Sequence, residues 1–217
     1  MTGRILVINP NSNRGVTAAL DRVVEPLRFA DGPQIECTTL DGAPRGIETQ
    51  RHINEVILPL CDLIQREDNT SDAFIIGCFG DPGLGSARET TSKPVFGICQ
   101  AGITTALNSG EKVGILTNLE EDINVGMRYM RTLGVDARIA GIEPIGITVT
   151  GLDDPKPSRA ALCEASIRLR QKGAEVLITG CAGMTPYKND IEKASGLGVV
   201  DPIYAAAAMA LGAVMAD

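Results

Sequence analysis

The sequence predicts an α/β protein built from two pseudo-symmetric parallel-sheet domains. Two observations carry this. Short β-branched runs alternate along the chain with segments of helical spacing, the order that gives parallel sheets with helices outside. The pattern then restarts half-way. Arg4-Ile5-Leu6-Val7-Ile8-Asn9 returns as Lys112-Val113-Gly114-Ile115-Leu116-Thr117, and Gly77-Cys78-Phe79-Gly80 as Gly180-Cys181-Ala182-Gly183. Val95 and Ala106-Leu107 return as Val199 and Ala210-Leu211. A period this long reads as duplication of one half, not as a solenoid. Residues 1–100 form the first domain and 101–202 the second; the segment 203–217 could return to the first.

Each element has a local reason. Residues 4–8 are a β-branched run suited to a strand buried on both faces. Asn9-Pro10-Asn11-Ser12-Asn13 breaks it, and Asn11, Ser12 or Asn13 can cap a helix reaching about residue 28. A strand over 34–40 and a turn over 42–46 follow. One helix is expected over 47–66, with a kink at Pro59. Strand 73–76 runs into the first Gly-Cys turn. A short helix over 86–92, a strand over 94–98 and a helix over 100–109 close the first half. In the second, strand 112–116 precedes a helix over 123–133 ended by Gly134. A strand lies within 138–147, and 153–157 is a polar loop. Ser158 caps a helix to about 172, strand 176–179 runs into the second Gly-Cys turn, and strand 198–200 precedes an Ala-rich helix over 203–215.

Bulk properties exclude several classes. A net charge of −7 opposes a nucleic-acid partner, which requires a basic face. No apolar run approaches the roughly 18 residues of a membrane span. The start of the chain lacks the layout of a signal peptide, so a cytoplasmic protein is expected. The six cysteines include no C-x-x-C pair, and there is one histidine, His52, so no metal site is expected. His52 reads as a surface residue beside Arg51 and Glu55. With 3% aromatics and no Trp, a stacking platform for bases is not expected.

Cys78 and Cys181 stand apart from the other cysteines. Each ends a strand and enters a Gly-flanked turn, where backbone N–H groups can approach a ligand. Each turn leads toward a helix, whose amino end favours a thiolate. Cys37, Cys61 and Cys163 read as small buried hydrophobes, and Cys99 as a residue that could line the site. Loops that follow parallel strands gather at one edge, where ligands of such sheets bind. Two thiols across one substrate suit racemisation: a thiolate removes a proton from one face of a carbon and a thiol delivers one to the other. Negative charge passes to a neighbouring carbonyl oxygen, which turn N–H groups can stabilise. This chemistry calls for no metal or cofactor.

The chain resembles the aspartate/glutamate/hydantoin racemase superfamily over essentially its whole length, and the hydantoin and allantoin racemases within it most. The resemblance rests on Val7-Ile8-Asn9-Pro10-Asn11-Ser12, Cys78-Phe79-Gly80-Asp81-Pro82-Gly83-Leu84, Gly97-Ile98-Cys99-Gln100-Ala101 and Gly180-Cys181-Ala182-Gly183-Met184. It implies an active site in a cleft between the domains, cofactor-free two-base chemistry on a small molecule, and a homo-oligomer. By carry-over, Cys78 and Cys181 are the two bases. Asn9, Phe79, Gly80, Gln100, Thr117, Ala182 and Gly183 are substrate-binding candidates. Amino-acid racemases of the superfamily follow the first cysteine with Asn-Thr. Here Phe79-Gly80, and Ala182-Gly183 after the second, suit a flat neutral ring such as a 5-substituted hydantoin or allantoin. The alternatives are an aspartate or glutamate racemase, a decarboxylase or isomerase on the same scaffold, and a non-catalytic binding protein. Asp81-Pro82-Gly83 reads as turn chemistry, and Glu120-Glu121-Asp122 as the charged first turn of a helix.

Overall fold

The computed structural model describes residues 3–216. It divides into two compact units, one running to Ala101 and resuming at Ile203, the other spanning Gly102–Pro202. Each holds a four-stranded, all-parallel sheet with helices, the α/β class expected.

In the first unit β1 (Arg4–Asn9), β2 (Gln34–Thr39), β3 (Ala73–Ile76) and β4 (Val95–Gly97) lie in the order β2-β1-β3-β4. In the second, β5 (Val113–Thr117), β6 (Ile139–Pro144), β7 (Val176–Thr179) and β8 (Gly198–Val200) lie in the order β6-β5-β7-β8. Counted within each half, the two orders are the same. The central strands are almost wholly apolar because both faces are covered: Ala73–Ile76 and Val176–Thr179 are buried at every position, and Thr179 is the one polar residue among them. Leu6, Ile8, Leu60, Ile64, Phe74 and Ile76 anchor the first core; Leu116, Leu162, Leu169, Leu177, Met184 and Ile191 anchor the second. Each such side chain contributes about 1.5–3 kcal/mol of transfer free energy.

The helices follow their caps. In α1 (Arg14–Val24) the Asn13 side chain accepts the Gly15 N–H, which selects one of three possible caps. The single helix expected over 47–66 is two, α2 (Gln50–Glu55) and α3 (Ile57–Glu67), parted at Val56. Pro59 therefore falls in the first turn of α3, where it gives no N–H to the carbonyl of Glu55, the last residue of α2, and the expected kink takes the form of a break at Val56. α4 is Leu84–Thr90, entered through Gly83 in the left-handed conformation. β4 passes without a loop into α5 (Ile98–Leu107). In the second unit α6 (Glu121–Thr132) is followed by α7 (Pro155–Gln171). The cap of α7 is Asp154 rather than Ser158, because Pro155 fits the first helical position and brings the start forward. Ser158 is instead fully buried inside the helix. A 3-10 turn (Ala182–Tyr187) and α8 (Lys188–Ser195) were not anticipated. α9 is Pro202–Met215. No helix among the described residues is long and apolar enough to cross a membrane.

Candidate active site

Both cysteines of interest occupy the same place on their sheets. In the first unit Ile8 pairs with Ile76, and the Gly77 N–H donates to the Ile8 carbonyl at 2.8 Å. In the second Leu116 pairs with Thr179, and the Gly180 N–H donates to the Leu116 carbonyl at 2.8 Å. Cys78 and Cys181 are the next residues, so each thiol is set at the carboxyl edge of its sheet. The glycine before each is needed for a reason the sequence did not suggest. A Cβ at Gly180 would sit 2.4 Å from the Leu116 carbonyl oxygen; at Gly77 it would meet Leu20 Cδ1 at 2.8 Å and the Ile8 oxygen at 3.1 Å. The neighbouring strand, joined at Gly77 by Leu20 of the following helix, makes the close approach.

Both thiols are partly buried. Burial pushes the Cys181 thiol up to about 11. The Gly183 N–H, directed at its sulfur, pulls the other way, and the negative charge of Asp122 adds to the rise. The thiolate-favouring environment expected from a helix start is therefore outweighed by desolvation. In the first unit the 3-10 turn has no counterpart: α4 begins six residues beyond Cys78, at Leu84.

The family model described as Asp/Glu/Hydantoin racemase matches residues 5–210. The chain belongs to that family. The hydantoin racemase of Rhizobium meliloti is 31% identical over 210 residues, spanning 95% of this chain and 86% of the relative. That of Paenarthrobacter aurescens is 29% identical over 211 residues, spanning 95% and 89%. The structure of allantoin racemase from Pseudomonas fluorescens superposes with a TM-score of 0.91 at 26% identity, covering 98% of this chain and 91% of that one. The protein is thus an enzyme of the racemase kind, with the α/β fold of that family.

Within this racemase the expected binding residues divide. Phe79 and Gly80 follow Cys78 and are partly exposed; Gly80, at φ 131°, holds a conformation that favours glycine. Its N–H is directed at the Cys99 sulfur. Ala182 is buried, and Gly183 packs so that a Cβ would fall 2.7 Å from Leu152 Cδ1. Thr117 ends β5 beside the second turn and is partly exposed. Asn9 ends β1 beside the first but is fully buried. Its Nδ2 donates to Asn11 Oδ1, the Asn13 carbonyl and Thr17 Oγ1 at 3.0–3.1 Å, and its Oδ1 accepts the Asn11 N–H at 3.2 Å. Asn9 thus organises its own loop. Gln100 gives its N–H to Asp81 and accepts from Arg88 through Oε1, both at 2.8 Å. His52 lies on α2, its Nδ1 accepting the Glu48 N–H. No three His, Cys, Asp or Glu side chains among the described residues gather as a metal site would require.

Further residues shape the two turns: Asp81, read from the sequence as turn chemistry; Cys99, read as a residue that could line the site; the Thr185–Asp201 pair; and Asp122, read as helix-end charge. Asp81 is 4% exposed, and its two carboxylate oxygens accept the Cys99 and Gln100 N–H groups, each at 2.8 Å. It satisfies donors at the start of α5 and ties the first turn to them. Gly97 is required beneath it, since a Cβ would lie 2.2 Å from Asp81 Cγ. Cys99 is fully buried; burial, then the charges of Asp81 and Cys78, hold its thiol well above the ordinary range. In the second unit Thr185, in the 3-10 turn, donates its hydroxyl to Asp201, just ahead of α9. Asp122 accepts the Thr117 hydroxyl at 3.0 Å and the Leu119 N–H at 2.9 Å.

Proposed function

We propose that this chain racemises 5-substituted hydantoins, allantoin included, by two-base proton transfer through Cys78 and Cys181. The observation that carries this reading is the repeated placement of a Gly-Cys turn at the carboxyl edge of each sheet, beside the end of β1 and of β5. Relatives named as hydantoin and allantoin racemases support the substrate class. So do Phe79-Gly80 and Ala182-Gly183, which offer backbone donors and apolar surface where a zwitterion would need polar side chains.

In the forward direction the Cys78 thiolate removes the C5 proton, and the electron pair passes onto the adjacent carbonyl oxygen. Cys181, protonated at neutral pH because its titration lies near 11, delivers its proton to the opposite face. The product is the mirror image, and the thiol and thiolate have exchanged places. Turn N–H groups stabilise the enolate oxygen. The reverse reaction uses the cysteines in the opposite roles.

The test is incubation of one enantiomer of a 5-substituted hydantoin in D2O, following optical rotation and C5 deuteration. Racemisation with deuterium uptake is expected, and Cys78→Ser and Cys181→Ser should each lower the rate by about 10³-fold. Wild-type racemisation by Cys181→Ser would overturn the scheme. Allantoin, aspartate and an arylmalonate in the same panel decide the substrate; turnover of the last two alone would assign an amino-acid racemase or a decarboxylase.

A further inference from the structure

Thr117 lies alongside the Gly180-Cys181 turn, because Leu116 pairs with Thr179 and accepts the Gly180 N–H. Its Oγ1 donates to Asp122 Oδ2, and the same oxygen accepts the Leu119 N–H. A hydroxyl has one hydrogen, so with that hydrogen on Asp122 the Thr117 oxygen offers only lone pairs. The Asp122 charge also reaches the Cys181 thiol. In the first unit Asn9 stands at the equivalent strand end, and its amide hydrogens face three acceptors within their own loop. Neither strand-end side chain therefore has a hydrogen to offer a carboxylate. At Cys181 a carboxylate would meet lone pairs and a fixed negative charge. A ring N–H would meet an acceptor.

We propose that Asp122 is a specificity-determining residue acting through Thr117: it holds the hydroxyl hydrogen away from the substrate and turns the surroundings of Cys181 against carboxylates and toward neutral rings with N–H donors. The inference refines the hydantoin reading, yet its test needs no hydantoin. Iodoacetamide and iodoacetate alkylate a thiolate by the same step: sulfur bonds to the CH2 carbon, iodide leaves, and the thiol proton has gone to solvent. They differ in one carboxylate. Rates at each cysteine, read by peptide mass spectrometry, give an amide-to-acid ratio in which thiol reactivity cancels.

The ratio at Cys181 is compared with its own value in a variant, because the Cys78 turn carries a carboxylate of its own, Asp81. Asp122→Asn, which keeps an acceptor for the Thr117 and Leu119 hydrogens, should narrow the Cys181 ratio by about tenfold and leave that at Cys78 unchanged. An unchanged Cys181 ratio, or equal narrowing at both cysteines, overturns the proposal. If the ratios behave as expected but no hydantoin is turned over, the substrate reading fails and the role of Asp122 stands. Among substrates, Asp122→Asn should lower KM for a 5-carboxymethyl hydantoin relative to its neutral 5-carbamoylmethyl analogue.

Discussion

The two Gly-Cys turns are copies in sequence and at their strand ends, but they are fastened differently. In the first unit the carboxylate belongs to the turn: Asp81 reaches the backbone N–H groups that open α5. In the second the carboxylate stands on the far side: Asp201, ahead of α9, receives the hydroxyl of Thr185 from the turn. The first fastening joins a carboxylate of the turn to backbone donors beyond it; the second joins a hydroxyl of the turn to a carboxylate beyond it. The strand ends differ as well, since Ile76 precedes Gly77 whereas Thr179 precedes Gly180. Thr179 Oγ1 is buried with no hydrogen-bond partner among the described residues. What duplication has kept is the position of the thiol. The bond from the preceding glycine to the neighbouring strand is kept as well, while the residues that follow each cysteine have diverged.

Substitutions that exchange features between the turns should break this comparison most. Gly97→Ala places a methyl group inside the Asp81 carboxylate. It is expected to cost 3 kcal/mol or more, in the range of severe overpacking, by denaturant unfolding, whereas Gly198→Ala, with nothing within 4 Å, should change stability little. Asp81→Ala strands two N–H groups near the core and should cost about 2–4 kcal/mol, against about 1 kcal/mol for Thr185→Val. Equal losses would mean that the two fastenings are equivalent. Gly180→Ala should be worse than Gly77→Ala, because it collides with a strand carbonyl while the nearest obstacle at Gly77 is a leucine methyl.

Alkali sharpens the comparison of the thiols. Burial pushes Cys37 up to about 12 and Cys181 up to about 11, from an ordinary 9.0. Folded-state values above the unfolded ones mean stability that is complete below pH 9. It is then lost as pH rises, by at most about 1.4 kcal/mol per pH unit for each thiol. Unfolding midpoints measured from pH 8 to 11 should fall accordingly, and Cys37→Ala should flatten part of the slope. The smallest effect is expected at Thr179→Val. Removing a hydroxyl that bonds nothing should be neutral or raise stability by up to about 1 kcal/mol, making the second strand end resemble the first.

The sheets could be read from the sequence because the central parallel strands are largely apolar runs, and the duplication supported several of them by a second copy. Cys78 and Cys181 were legible for the same reason. Asp81 was not, because an Asp-Pro-Gly stretch satisfies the rules for a turn and its hydrogen-bond partners are 18 and 19 residues away. Asp122 looked like one of three acids at a helix start, and only the fold shows that it holds Thr117. α8 escaped notice because Lys188–Ser195 buries a single aliphatic side chain, Ile191, too little to make a periodic signal. The interruption between α2 and α3 was legible only as a kink at Pro59, because Val56 and Pro59 both fit a continuous amphipathic pattern.

The return of the chain to its first unit sets an order of assembly. Gly102–Pro202 is contiguous and holds every residue of its own core, so it can close without α9. The first unit cannot, since residues from Ile203 onward belong to it and Val214 packs over Gly3 at the start of β1. At ordinary rates of synthesis its sheet waits roughly ten seconds after β4 emerges for the helix that closes it. During that interval the apolar strands beside Cys78 are the part of the nascent enzyme most in need of protection from aggregation.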